Sequence, residues 1–415
     1  MEKHLSAARA RALRSVAGGV CAAKGFRAAG VPARIKYEGR NDVALIVADA
    51  PCAAAAVFTT NAVAAAPVLY DRAAVKCGRI QAILANSGCA NACTGTAGYK
   101  DAEKSARETA RTLGIDPAHV LVASTGVIGH RLPVDRLLAG MKAAASQLAA
   151  SPEAGLAAEK AVMTTDTKPK QAAVQVTIGG KTVTVGGMCK GSGMIEPNMA
   201  TMLGFITTDA AVTPAMLRRA LRLAVDVTFN HVVVDGDEST NDSVFLLASG
   251  AAGNACIDKA GPDFDAFVGA LTAVGESLAR QMAADGEGAT KFVEVCVRGA
   301  KTRRDAERAA RAIAKSPLAK TSWFGKDPNW GRVLAAAGYS GAAVDDRRAE
   351  VFYGRTWAYR MGRVADAAQL AKLEKEMAGP SLKVTVDLHL GDFAATIYTC
   401  DFSLDYVHIN ADYTT

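Results

Sequence analysis

Residues 185–208, VGGMCKGSGMIEPNMATMLGFITT, constrain this chain more than any other stretch. A Gly-rich run leads to Ala200–Thr201, and an apolar, strand-like segment follows. A threonine inside a chain is a poor nucleophile. If the Ala200–Thr201 bond breaks, Thr201 gains a free α-amine that titrates near ~7.7–8.0, whereas a lysine stays protonated to about 10.4. Hydroxyl and amine on one carbon skeleton form a minimal nucleophile–base unit that needs no histidine. A chain broken there stays folded only if strands from both sides of the break share a core.

The pattern along the chain supplies such elements. Residues 36–70 alternate short β-like runs (VALIVA, AAAVFTT, PVLY) with turn residues. QAILANSG at 81–88 reads as a buried strand entering a Gly-rich loop. VLVASTGVIG at 120–129 repeats that theme, a strand followed by a Ser/Thr/Gly loop. KDAEKSARETARTLG at 100–114 reads as a helix ended by Gly114, and 132–150 as a helix ended by Ser151–Pro152. Residues 173–187 form a hairpin turning at Gly179–Gly180. After Thr201 come a strand (TMLGFITTDA), a helix (PAMLRRALRLAVDVTFN) and a strand entering a loop (HVVVDGD). Residues 262–284 and 304–316 read as helices; 291–299, KVTVDLHL and FAATIYTC read as strands. Interleaved strands and helices with several hairpins predict a layered α/β protein.

Composition excludes several classes. The chain has 415 residues and 50% hydrophobic content, enough for a large core and more than one domain. Its net charge of +7 is not concentrated in a basic run. The densest stretch, KTRRDAERAARAIAK at 301–315, has apolar residues at helical intervals and reads as a solvated helix face. Aromatic residues are only 6%, with no basic–aromatic platform, which argues against a nucleic-acid partner. No stretch approaches ~18 consecutive apolar residues, so no membrane span is expected. The nine cysteines are irregularly spaced, which suits reduced thiols in a cytoplasmic protein. The basic, Ala-rich first 30 residues read as a short helical extension rather than a targeting peptide. DGDESTND at 235–242 has Thr240 where a calcium loop needs glycine, so it reads as an Asx-rich turn network near a site. No metal-binding histidine cluster, P-loop or dinucleotide motif is present, so no metal or cofactor is assigned.

KGSGMIEPNMATML at 190–203 resembles the maturation motif of the ornithine acetyltransferase family, also called glutamate N-acetyltransferases. Further blocks agree in order: VFTTN at 57–61, ANSGCANACTG at 85–95, STGVIG at 124–129, MTTDTKPK at 163–170, NHVVVDGDESTND at 230–242, DGEGATKFVEV at 285–295 and DPNWGRVLAAAGYSG at 327–341. The resemblance runs from GGVCAAKGFRAAGV at 18–31 to NADYTT at 410–415. It implies stacked α/β/β/α layers of the self-cleaving N-terminal-threonine acyltransferase type, with a smaller C-terminal α/β domain from about residue 300. It implies fragments 1–200 and 201–415 that stay associated as a heterotetramer. The implied activity is acetyl transfer from N2-acetyl-L-ornithine to L-glutamate through an acetyl-Thr201 ester, in arginine biosynthesis. Acetyl-CoA as an additional donor divides the family and is left open. The alternative is a self-cleaving aminopeptidase or amidase on the related fold.

The resemblance also assigns roles residue by residue. Thr201 is the nucleophile and carries the base; Ala200 supplies the carbonyl attacked in self-cleavage, and small Gly193 leaves the backbone free to tighten. Thr125 and Gly126 match the oxyanion-hole pair, a side-chain hydroxyl and a backbone N–H. Thr164 and Lys190 match substrate contacts, the ammonium suiting an α-carboxylate. Glu287 matches the carboxylate that receives the ornithine side-chain ammonium; glutamate in the same place needs a water or a nearby cation between. Asn410 and Thr415 match the remaining contacts.

Overall fold

The computed structural model describes residues 13–196 and 202–412. Ala200, Thr201, Thr415 and the first 12 residues of the expected N-terminal extension lie outside the described residues.

Nine strands form the first sheet: β1 (Arg14–Ser15), β2 (Phe26–Val31), β3 (Val43–Phe58), β4 (Arg79–Asn86), β5 (Val120–Ser124), β6 (Lys170–Ile178), β7 (Lys181–Lys190), β8 (Leu203–Thr208) and β9 (Ser243–Ala248). Their order is β1-β6-β7-β8-β9-β3-β4-β5, with β2 added on β3. The pivot is β3. Its first half pairs with β2 and β4, its second half with β9, and its register slips between Val47 and Cys52. Pro51 lies in that slip and has no N–H to give a ladder, so the strand bends there.

The bend folds one sheet over itself, and β3 side chains record the layers. Val43, Leu45 and Val47 face a core with helices Gly95–Leu113 and Val134–Ser146. Ala44, Ile46 and Ala48 face inward, where Ile83 and Leu121 of one half meet Phe205 and Phe245 of the other. Phe205 and Phe245 stack with ring centroids 5.6 Å apart. Ala55 and Val57 join a third core with helices Pro214–Val227 and Pro262–Ala284. The result is helix, sheet, sheet, helix: the stacked α/β/β/α arrangement.

The strands on either side of residues 197–201 are direct neighbours. β7 pairs antiparallel with β8 from Val185↔Thr208 to Lys190↔Leu203, and β8 pairs parallel with β9. The expected hairpin turns at Gly179–Gly180 between β6 and β7.

A second sheet has β10 (Phe292–Ala300), β11 (Glu350–Tyr353), β12 (Thr356–Arg360), β13 (Arg363–Val364), β14 (Ser381–Asp387) and β15 (Phe393–Cys400), in the order β13-β12-β11-β14-β10-β15. Helices Arg303–Lys315, Pro317–Phe324, Trp330–Tyr339 and Ala367–Ala378 supply the rest of its core, around Trp323 and Tyr353. This sheet begins at Phe292, ahead of residue 300.

Four local expectations need correction. The first 30 residues are not one helical extension, since Arg14–Ser15 and Phe26–Val31 are strands of the first sheet. PVLY at 67–70 is not a β-like run but part of helix Ala66–Ala74, where Pro67 sits in the first turn and needs no N–H. Ser151–Pro152 does not close the preceding helix, which stops at Ser146; it opens another, Pro152–Val162. The Ser151 hydroxyl accepts from Ala154 N, and Pro152 occupies the first turn, where no N–H is needed. HVVVDGD forms no strand of either sheet. Val233 N donates to Tyr398 O at 2.8 Å and Val234 N to Ile195 O at 2.7 Å. The segment therefore bridges β15 to the stretch before residue 197 instead of running in one ladder.

No helix among the described residues is long and apolar enough to cross a membrane. Among them no group of three or more His, Cys, Asp or Glu side chains could hold a metal ion.

Candidate active site

β7, β8 and β9 begin or end side by side, and a cleft opens at that edge. Lys190 closes β7, Met202 precedes β8 and Asp242 precedes β9. All three line the cleft, with Thr125, Gly126, Thr164, Glu287 and Asn410. The structure thus brings together every described residue expected at the site. Its volume of about 130 Å³ is well below the ~300–1,000 Å³ typical of clefts for drug-sized ligands, so the occupant is small.

Thr125 and Gly126 follow β5 in a loop pressed against residues 88–89. Gly126 has φ 126°, and a Cβ there would lie 2.4 Å from the Gly88 carbonyl carbon. Only glycine fits that approach. Thr125 N donates to Asn86 O at 3.0 Å, and the Ser124 hydroxyl to Asn86 Oδ1 at 2.7 Å. The buried Asn241 amide donates to Ser124 O at 2.8 Å and Ala90 O at 2.6 Å, stapling the two loops. Sequence reasoning missed Asn86 and Asn241. The signal was present: each asparagine sits where a strand meets a loop, the position at which a side-chain amide satisfies loose backbone groups.

Glu287 lies just beyond helix Pro262–Ala284, and two contacts to residue 192 fix it. Glu287 N donates to Ser192 O at 2.9 Å, and Ser192 Oγ donates to Asp285 O at 2.6 Å. A Cβ on Gly193 would meet the Glu287 carboxyl carbon at 2.3 Å. Gly193 is therefore small to admit that carboxylate, a reason the sequence alone did not show. The C-terminal helix Leu404–Asp412 delivers Asn410, whose Nδ2 donates to Glu287 Oε2 at 2.8 Å.

A buried ion network lies beside the cleft. Lys170 Nζ donates to Asp166 Oδ1 at 2.7 Å and to Asp285 Oδ2 at 2.6 Å. Asp166 also accepts from Gly191 N at 2.7 Å and Thr164 N at 3.0 Å, so it positions backbone next to two expected contact residues. Burial alone would raise the Asp166 carboxyl, but the Lys190 and Lys170 ammonium groups override it and hold it at about 2. Lys170 is likewise raised: burial opposes its charge, and Asp166 and Asp285 more than restore it.

Glu159 is buried beside this network and behaves oppositely. Its Oε1 accepts from Lys170 N at 2.6 Å, while Oε2 has no hydrogen-bond partner among the described residues. Burial pushes the carboxyl up from 4.5 to about 8. The folded state then holds a proton that the unfolded chain releases above pH 4.5, so stability falls as pH rises through that window toward about 8. Glu159→Gln is expected to flatten this slope, seen in chemical denaturation at both ends of the window. An unchanged slope would show that Glu159 is not its source.

The stretch entering the undescribed segment is fixed as well. Asp235 accepts from Met194 N at 2.6 Å and Ile195 N at 2.9 Å. Glu196 is ion-paired with Lys315 and lies 3.7 Å from Arg311. The predicted Asx-rich turn is here: Ser239, Thr240, Asn241 and Asp242 line the cleft. In one small cleft, a hydroxyl and a glycine backbone face a cation and a carboxylate. Such a site suits a zwitterion with a charged side chain.

A family model described as the ArgJ family matches residues 27–415. The chain is 54% identical over 404 residues to the arginine biosynthesis bifunctional protein ArgJ of Symbiobacterium thermophilum, covering 96% of this chain and 99% of that one. It is 50% identical over 392 residues to the protein of the same name from Geobacter sulfurreducens, covering 94% and 99%. It is 45% identical over 409 residues to glutamate N-acetyltransferase of Methanosarcina mazei, covering 97% and 100%.

Proposed function

The chain belongs to the ArgJ family, and from this we propose that it moves the acetyl group of N2-acetyl-L-ornithine to L-glutamate through an ester on Thr201. The observation that carries the reading is the gathering of Thr125, Gly126, Thr164, Lys190, Glu287 and Asn410 around Met202. These residues are far apart in the chain, and they meet beside the residue that follows Thr201.

Maturation comes first. The Thr201 hydroxyl attacks the Ala200 carbonyl, the acyl group shifts from nitrogen to oxygen, and water hydrolyses the ester. Fragments 1–200 and 201–415 remain together, the second including the smaller unit from about residue 300. In turnover, Thr201 Oγ attacks the acetyl carbon while its α-amine takes the hydroxyl proton. The tetrahedral oxyanion is held by the Thr125 hydroxyl and the Gly126 N–H, a donor of this kind being worth about 2.7–4 kcal/mol of barrier. The α-ammonium returns its proton to the departing ornithine nitrogen. The glutamate amine then attacks the ester, and the Thr201 hydroxyl re-forms as N-acetylglutamate leaves. Lys190 holds the α-carboxylate; Glu287, fixed by Asn410, holds the side-chain ammonium, and Thr164 and Thr415 complete the contacts. The enzyme works in the cytoplasm as a heterotetramer with two copies of each fragment. No observation favours the hydrolase alternative.

The test is a quenched reaction with acetyl-labelled acetylornithine. The label should appear on the fragment that begins at Thr201 and pass to glutamate. Release of label mainly as acetate would mean a hydrolase; an unbroken chain without adduct would overturn the proposal. Acetyl-CoA in place of acetylornithine asks whether it also serves as donor.

Gly193→Ala probes the carboxylate pocket. The new Cβ displaces Glu287, and a misplacement of this size lowers kcat/KM for acetylornithine by roughly 10–100-fold. Steady-state kinetics beside a thermal melt would check this; wild-type kinetics would remove Glu287 from the binding site.

A further inference from the structure

Lys320 is a fully buried ammonium that the mechanism above does not use. It sits in helix Pro317–Phe324, beside the core of the second sheet, and is 0% exposed. The groups it bonds are neutral. Nζ donates to Thr399 Oγ1 at 2.8 Å and to Cys400 O at 2.5 Å, and it lies 4.6 Å from the centre of the Phe402 ring. Burial lowers its pKa from the usual lysine value, and Cys400, Asp235 and Asp401 oppose that shift. A cation buried against neutral groups is costly, and this one is set where it orders the cleft.

The segment that Lys320 holds, residues 399–402, supports the turn that carries Glu287. Phe402 N donates to Lys320 O at 3.3 Å, so backbone and side chain of Lys320 both bind this segment. Asp401 is 0% exposed and accepts from Thr290 N at 2.8 Å and Lys291 N at 2.9 Å, while the Thr290 hydroxyl donates to its other oxygen. Ser403 Oγ donates to Gly288 O at 2.5 Å. These bonds fix residues 288–291 directly after Glu287. Gly288 passes so close to the next helix that a Cβ there would lie 2.4 Å from Tyr406 N.

A second route runs through the C-terminal helix. Phe402 stacks on Tyr406, with ring centroids 4.6 Å apart and planes at 17°. Tyr406 O accepts from Asn410 Nδ2 at 3.0 Å, and the same amide donates to Glu287 Oε2 at 2.8 Å. Helix Leu404–Asp412 buries none of its side chains among the described residues, so these contacts, rather than a packed core, set where Asn410 sits.

We propose that Lys320 is a positioning residue for the side-chain end of the cleft: through residues 399–403 and the Phe402–Tyr406 stack it keeps Glu287 and Asn410 in register for a substrate's side-chain ammonium. Lys320 does not line the cleft and moves no proton. It ties the unit built on the second sheet to the site at the edge of the first. The inference rests on the reading of Glu287 as the carboxylate that receives that ammonium.

Lys320→Met is similar in length and uncharged, and two donors separate positioning from packing. N2-acetyl-L-norvaline has the carbon chain of N2-acetyl-L-ornithine without the side-chain nitrogen. With glutamate as acceptor, the ratio of kcat/KM for acetylornithine to that for acetylnorvaline should fall roughly 10-fold in the variant, as for a contact misplaced by less than ~1 Å. Most of the change should lie in KM for acetylornithine, because this contact is present in ground and transition states alike. An equal loss with both donors would show a packing role and overturn the proposal, as would an unchanged ratio. Phe402→Leu covers the case in which Lys320→Met does not fold. It removes the stack and the ring beside the ammonium, and the ratio should fall by less; no fall counts against the proposal. Wild-type enzyme run alongside keeps the two readings apart. A wild type that uses both donors alike would overturn the reading of Glu287 itself, and this inference with it. A wild type that prefers acetylornithine, beside variants that keep its ratio, would overturn the role of Lys320 alone.

Discussion

Thr201→Ala yields a single unbroken chain with turnover reduced at least ~10⁴-fold, as expected when a covalent nucleophile is removed. Both losses have one cause. On the proposed mechanism the hydroxyl that attacks Ala200 in maturation is the one that carries acetyl in turnover, and without the first reaction the base is never unmasked. The fold should survive, because the described pairs between β7 and β8 run from Lys190↔Leu203 to Val185↔Thr208 and are untouched by the substitution. A melting temperature near wild type would therefore accompany the loss. Thr201→Ser keeps a hydroxyl and should retain both processing and measurable turnover. Intact mass and an acetyl-transfer assay decide the matter, and an active Thr201→Ala chain would end the proposal.

Lys170→Met is the largest expected loss of stability. Lys170 is 1% exposed and bonded to two buried carboxylates, Asp166 and Asp285. Removing one member of a buried ion group leaves uncompensated charge and costs about 3–5 kcal/mol. Asp166 would keep the field of Lys190 and its bonds from the backbone of Thr164 and Gly191, but would lose its ammonium partner. The backbone of Thr164 and Gly191, which Asp166 holds, would loosen, so KM should rise with the loss of stability. The pH response checks the same network. Asp166 is depressed from 3.8 to about 2, so its contribution is complete above 3.8 and fades as pH falls through about 2. Denaturant melts would show the deficit, and a variant as stable as wild type would mean that the network is not structurally important.

Much of this architecture was legible from local pattern. Gly114 ends its helix in the left-handed conformation, and Gly179–Gly180 turns its hairpin, because each signal acts within a few residues. The bend in β3 was less visible: Pro51 sits in an apolar run that reads as two short strands rather than one bent one. Ser151–Pro152 misled because the same pair that can follow one helix also caps the next. HVVVDGD has strand composition, but its partners, Tyr398 and Ile195, come from different parts of the chain. At the site, residues inside recognisable blocks were foreseen and now line one cleft. The groups beneath them were not. MTTDTKPK counted only as one of the matching blocks, and only the fold brings Lys170 against Asp285, far along the sequence. Asp242 sat within a turn whose composition pointed only to hydrogen bonding, and nothing in that composition signalled its burial at the start of β9.

The ladder joining β7 to β8 has a consequence for the lifetime of the molecule. Six residue pairs knit the strands that precede and follow the proposed break. Before scission, a denatured molecule regains this ladder by closing a loop in a single polypeptide. Afterwards the same ladder requires two separate polypeptides to find each other, so recovery slows on dilution. The processed enzyme should therefore persist through slow opening rather than through ready renaturation.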